Sequence, residues 1–121
     1  MPDRRVVEAF AAMVERGDHV EAILQFYAED ASMQENSAPP RVGRDKLAAR
    51  EQAVLAAQKS VVSTRLGPIM IEGDEVAIRW RFEFVPLEGK PMALEEVAWQ
   101  TWRGDKVWRE VFIYDPAQMG R

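Results

Sequence analysis

The chain has 121 residues, a net charge of −4 and no cysteine. That is enough for one domain spanning 1–121, burying about two-thirds of its unfolded surface unaided, and it excludes disulfides, thiolate metal sites and a cysteine nucleophile. The acidic balance, without a long Lys/Arg cluster, argues against nucleic acid as a partner, and no apolar run approaches the ~18 residues of a membrane span.

Met1 to Arg5 lead straight into a helical pattern with no visible signal peptide, so the expected location is cytoplasmic. Val6, Val7, Phe10, Met13 and Val14 recur at helical spacing and predict an amphipathic helix over about 3–16. Gly17 is placed to stop it. Asp18, with Glu21 three residues on, reads as a capping box for a second helix with Ile23, Leu24, Phe26 and Tyr27 as its apolar stripe. From Asp30 to Asn36 the pattern turns to alternation and predicts a first strand. There Glu35 shares a face with Ala31 and Met33, a poor place for a carboxylate unless it is paired or has a task.

Pro39-Pro40 make a loop, and Gly43-Arg44-Asp45 open a third helix over about 44–58, with Leu47, Arg50, Val54 and Ala57 along one side. Val61 to Ile71 reads as one extended strand, bulged at Gly67-Pro68. Glu75 to Val85 alternates Val76, Ile78, Trp80, Phe82 and Phe84 against Ala77, Arg79, Arg81 and Glu83, a strand signature. Met92 to Trp102 and Lys106 to Asp115 read as two more strands joined by a Gly104-Asp105 turn, followed by a loosely ordered tail. Three helices interrupted by one strand, then successive antiparallel strands, predict an α+β fold with a curved sheet, mixed or antiparallel, wrapped against the three N-terminal helices.

Four stretches carry a resemblance: Gly17-Asp18, Phe26 to Ala31, Val42 to Asp45, and Trp102 to Val107. In this order and spacing the chain resembles the nuclear-transport-factor-2-like superfamily, the α+β cone of ketosteroid isomerase, limonene-epoxide hydrolase and SnoaL-like polyketide cyclases. The resemblance implies a deep, mostly apolar pocket between sheet and helices. Fold does not fix function in such a superfamily.

Alternation and the resemblance select the same inward residues: Met33 and Glu35; Ile78, Trp80, Phe82 and Phe84; Leu94, Glu96, Ala98, Gln100 and Trp102; Trp108, Glu110, Phe112 and Tyr114. The candidate catalytic residues are thus Glu35, Glu96 and Glu110. Phe10, Met33, Trp80, Phe82, Gln100, Trp102 and Tyr114 are the candidate substrate-binding residues. The resemblance places Glu35 where ketosteroid isomerase carries its general base, and an apolar setting raises a carboxyl pKa toward working pH. The competing reading is a strand-end Glu paired with an arginine such as Arg50.

Glu110 matches one acid of the limonene-epoxide hydrolase triad, but the other two positions are Trp80 and Phe82, which disfavours that chemistry. Sliding the strand by one residue would offer Arg81 and Glu83 but turn the apolar set outward. Glu110 is read instead as the partner of Glu35 in an acid/base pair, or as tied up with Arg50 or Gln100. The isomerase's oxyanion donors are replaced by Phe10 and Ala98, leaving Glu96, Gln100 or Tyr114 as substitutes.

His19, the single histidine, follows Asp18 and reads as solvated. No metal-ligating pattern and no phosphate loop appear, so no cofactor is expected. Val97, Trp99 and Thr101 on the outer face suggest a homodimer through that face. The expected function is proton transfer on an apolar carbonyl or enol substrate, of isomerase, cyclase or dehydratase type. The alternatives are a non-catalytic binder of an apolar small molecule, a dimeric accessory domain and, less favoured, an epoxide hydrolase.

Overall fold

A computed structural model describes residues 1–120. Helix α1, Arg4–Glu15, starts where the Asp3 side chain accepts from the Arg5 amide, and buries Val7, Phe10 and Ala11. Gly17 ends it at φ +89, a left-handed conformation that a Cβ would strain. Helix α2, His19–Phe26, follows at once and buries Ala22, Ile23 and Phe26. Two details differ from expectation. Asp18 makes no side-chain cap and pairs with Arg16 instead. Leu24 is exposed, because an eight-residue helix lying over the sheet has only a narrow covered stripe.

Strand β1, Tyr27–Glu35, begins directly after α2, three residues earlier than alternation implied. Past the proline loop a two-residue strand β2, Arg41–Val42, pairs antiparallel with it, too short to leave a period. Helix α3, Arg44–Ala56, starts at Gly43 and buries Leu47 and Ala48. The segment read as one bulged strand is two: β3, Gln58–Arg65, and β4, Met70–Glu72. Gly67 and Pro68 break the ladder, since one adopts φ +95 and the other lacks a donor. Strands β5, Glu75–Pro86, β6, Met92–Arg103, and β7, Lys106–Ile113, complete the sheet.

The sheet is mixed, in the order β2-β1-β7-β6-β5-β3, with β4 also on β5. Strands β1 and β7 run parallel; the other pairs are antiparallel. The curved, unclosed sheet and the three helices form an α+β cone, with the apolar core between them. Register puts Val76, Gln100, Glu110 and Met33 in one row across four strands, and Trp80 opposite Glu96.

One β-bulge corrects an inward assignment. Trp102 pairs with Val107 but Thr101 with Arg109, so Trp108 is the extra residue of β7. Val107 is fully buried in its place, and Trp108 lies beneath the guanidinium groups of Arg103 and Arg109, at 5.0 and 3.9 Å. The tail differs too. A 3₁₀ turn, Pro116–Met119, is capped by Asp115 and docked by Gln118, whose amide accepts from the Glu95 amide and donates to its carbonyl. No helix among the described residues is long and apolar enough to cross a membrane.

Candidate functional site

Between helices and sheet lies a cavity of about 300 Å³. Helix α1 contributes Phe10 and Val14; α2 contributes His19 and Ile23; β1 contributes Tyr27, Met33 and Glu35. Arg50, Glu51 and Val54 come from α3, Trp80, Phe82 and Phe84 from β5, Leu94 and Glu96 from β6, and Glu110 and Phe112 from β7. Trp80 and Phe82 lie nearly parallel, 22° apart, as an aromatic wall. Met119 of the docked tail reaches the cavity as well.

The three candidate carboxylates all line this cavity, in different settings. Glu110 is 2% exposed. Tyr27 donates its hydroxyl to one carboxyl oxygen, and the Gln100 amide donates to the other at 2.7 Å. Gln100 in turn accepts from the Trp102 indole at 2.8 Å. Gln100 and Trp102 were candidates for substrate contact, but they stand behind the lining, buried, holding Glu110 from the back; Trp102 packs its edge on Phe10. Burial pushes the Glu110 carboxyl up to about 7, although the Tyr27 and Gln100 hydrogen bonds pull the other way; the Glu51 charge adds to the rise. Tyr27, fully buried beside that carboxyl, is raised well above its ordinary value and stays a donor.

Glu96 lies on the next strand, with most of its surface covered. Burial, then the charges of Glu110, Glu35 and Glu51, push it up to about 8. Glu35 is different: its side chain is 38% exposed, with Arg41 at 3.8 Å. The partner is Arg41 and not the expected Arg50, because the short β2 lays Arg41 opposite Met33, while Arg50 faces the cavity from α3. An ion pair this exposed contributes little.

Tyr114 is not part of the lining. The ladder of β7 ends at Ile113, and the Tyr114 amide is tied to the Asn36 side chain at 3.0 Å. Trp80 and Phe82 point inward as alternation required, so Arg81 and Glu83 fall on the opposite face.

His19 overturns its reading as solvated. Its side chain is 12% exposed. Nε2 is 2.8 Å from Ser63 Oγ, Nδ1 is 3.5 Å from Glu51 Oε1, and the ring meets Phe82 at 5.8 Å. Sequence adjacency to Asp18 suggested water; the packing of α2 against α3 and β3 decides otherwise. Tyr27, Glu51 and Gln58 were also missed, the first because it sits at a helix–strand junction where neither period applies. Among the described residues no group of three His, Cys, Asp or Glu side chains is placed to hold a metal ion.

Residues 7–110 match the SnoaL-like domain family. No curated protein matches the sequence. Solved structures share the fold. One is a protein provisionally named a SnoaL-like polyketide cyclase, from Mesorhizobium loti: 22% identical, TM-score 0.77, covering 92% of this chain and 97% of that one. Another is an NTF2-like protein of unknown function from Burkholderia pseudomallei, at 14% identity and TM-score 0.79, with 96% and 92% covered. A third is TerC, co-crystallised with polyporic acid, at 19% identity and TM-score 0.77, with 96% and 93% covered. At these identities the likeness is one of fold.

Proposed function

The chain belongs to the SnoaL-like domain family, and we propose that its cavity binds an apolar carbonyl or enol compound and moves protons on it. The carrying observation is the pair Glu96 and Glu110, raised to about 8 and about 7 on walls that are otherwise mostly apolar. Two nearby carboxyls titrate as a coupled unit, one keeping its proton while the other ionises. Glu110, whose two oxygens already receive hydrogen bonds from Tyr27 and Gln100, is the member that ionises first and acts as base. Glu96 keeps its proton and donates to the substrate oxygen as negative charge builds there. Glu35, open to water, returns protons to solvent. Isomerisation, cyclisation and dehydration all begin with such a step.

Names of relatives also support this reading, since several structures of this fold are provisionally named polyketide cyclases and one was co-crystallised with polyporic acid. A second reading, a binder without chemistry, draws on the same network: a carboxyl held from behind by Tyr27 and Gln100 also serves as a fixed structural group. We further propose that two copies pair through the outer sheet face, where Trp99 and Ile113 are 46% and 49% exposed.

Exchange of the C1 protons of 2-tetralone in deuterium oxide separates the two readings. Glu110 removes a C1 proton, the enol forms, and a deuteron returns to the same carbon. We expect exchange faster than in buffer, slowed about 10²-fold by Glu110→Gln, the usual scale of acid/base assistance. Binding of 2-tetralone with exchange at the buffer rate selects the binder.

A further inference from the structure

A second group of polar lining residues is unused by that mechanism. It is built from α2, α3 and β3. Glu51 and His19 both face the cavity, and the 3.5 Å between the Glu51 carboxylate and His19 Nδ1 is long for a hydrogen bond. His19 is fixed from its other nitrogen by Ser63 at 2.8 Å and held edge-on by Phe82. Gln58 lines the same cavity, and its Oε1 is a buried acceptor with no hydrogen-bond partner. A buried polar atom left in that state is costly and calls for a donor.

We infer that Glu51, Gln58 and His19 form a hydroxyl-binding subsite, so the ligand is an apolar molecule carrying an alcohol, phenol or enol. A hydroxyl suits this arrangement because it donates and accepts at once. Its hydrogen goes to the Glu51 carboxylate or to Gln58 Oε1, and its oxygen accepts from His19 Nδ1–H, the tautomer set when Nε2 accepts from the Ser63 hydroxyl. The stacked Trp80 and Phe82 form the apolar wall along which the body of the ligand lies. The subsite rests on reading the cavity as a ligand site, and it adds the polarity of the ligand to that reading.

The test compares 2-naphthol with naphthalene, which has the same ring system without the hydroxyl, by calorimetry on the whole chain. A hydrogen bond to a charged group predicts that naphthol binds about tenfold tighter or more. Glu51→Gln, His19→Phe and Gln58→Met should each shrink that ratio and leave naphthalene affinity in place, with thermal melts confirming that each variant is folded. Because the chain has one histidine, ¹⁵N imidazole resonances report it alone. They should move with naphthol and stay with naphthalene. Naphthalene bound with no preference for naphthol, or a preference that survives all three substitutions, overturns the subsite and leaves the proton-transfer reading standing. Failure of both compounds to bind overturns the cavity as a ligand site, and the subsite with it.

Discussion

Tyr27 donates its phenolic hydrogen to Glu110 across 83 residues of sequence, from the first residue of β1 to the middle of β7. A hydrogen bond to a carboxylate favours its charged form, so this contact restrains the rise that burial imposes on Glu110. Tyr27→Phe therefore raises the Glu110 pKa further from about 7. The lost bond to a buried acceptor costs about 1 to 2 kcal/mol. Carboxyl NMR titration and urea denaturation read the two effects. A Glu110 pKa that falls would contradict the assignment.

Stability should decline as pH rises through neutrality. Glu96 and Glu110 have folded values of about 8 and about 7, above the ordinary 4.5. Between those limits the folded chain holds protons that the unfolded chain has released, so each carboxyl stabilises the fold below pH 4.5 and loses that contribution as pH climbs through its folded value. Each adds a slope of up to about 1.4 kcal/mol per pH unit. Urea midpoints measured from pH 5 to pH 8.5 should fall, and Glu96→Gln should flatten the decline. A midpoint that rises over this range contradicts the account.

The outer face of the sheet supplies the third test. Trp99 and Val111 are cross-strand partners, as are Val97 and Ile113, giving an apolar strip beside Arg79 and Arg81. Sedimentation should give the mass of two chains for the wild type and of one chain for Trp99→Lys combined with Ile113→Lys. A wild type that sediments as a single chain removes the dimer.

The fold was legible because long periods carry it. The helical spacing from Val6 to Val14 and the ten-residue alternation from Val76 to Val85 are statements about burial that survive in three dimensions. The lining by Met33, Glu35, Glu96 and Glu110 followed from the same alternation. What escaped lies where a period breaks or never forms. The bulge at Trp108 changes phase by one residue, burying Val107 and turning the tryptophan outward. His19 is the first residue of a short helix, and its surroundings come from Glu51 and Ser63, distant in sequence. Tyr27 belongs to neither the helix nor the alternating part of its strand. Tertiary packing alone brings His19 and Tyr27 to the cavity.

The account depends on carboxyls that hold their protons near neutral pH inside the cavity. Site-resolved ¹³C titration of the Glu96 and Glu110 side chains measures this directly, with Glu110→Gln and Glu96→Gln assigning the signals. The account predicts transitions near pH 7 for Glu110 and pH 8 for Glu96, with the Glu96 transition shifted down when Glu110 is neutralised. Two independent transitions near pH 4.5 would contradict it.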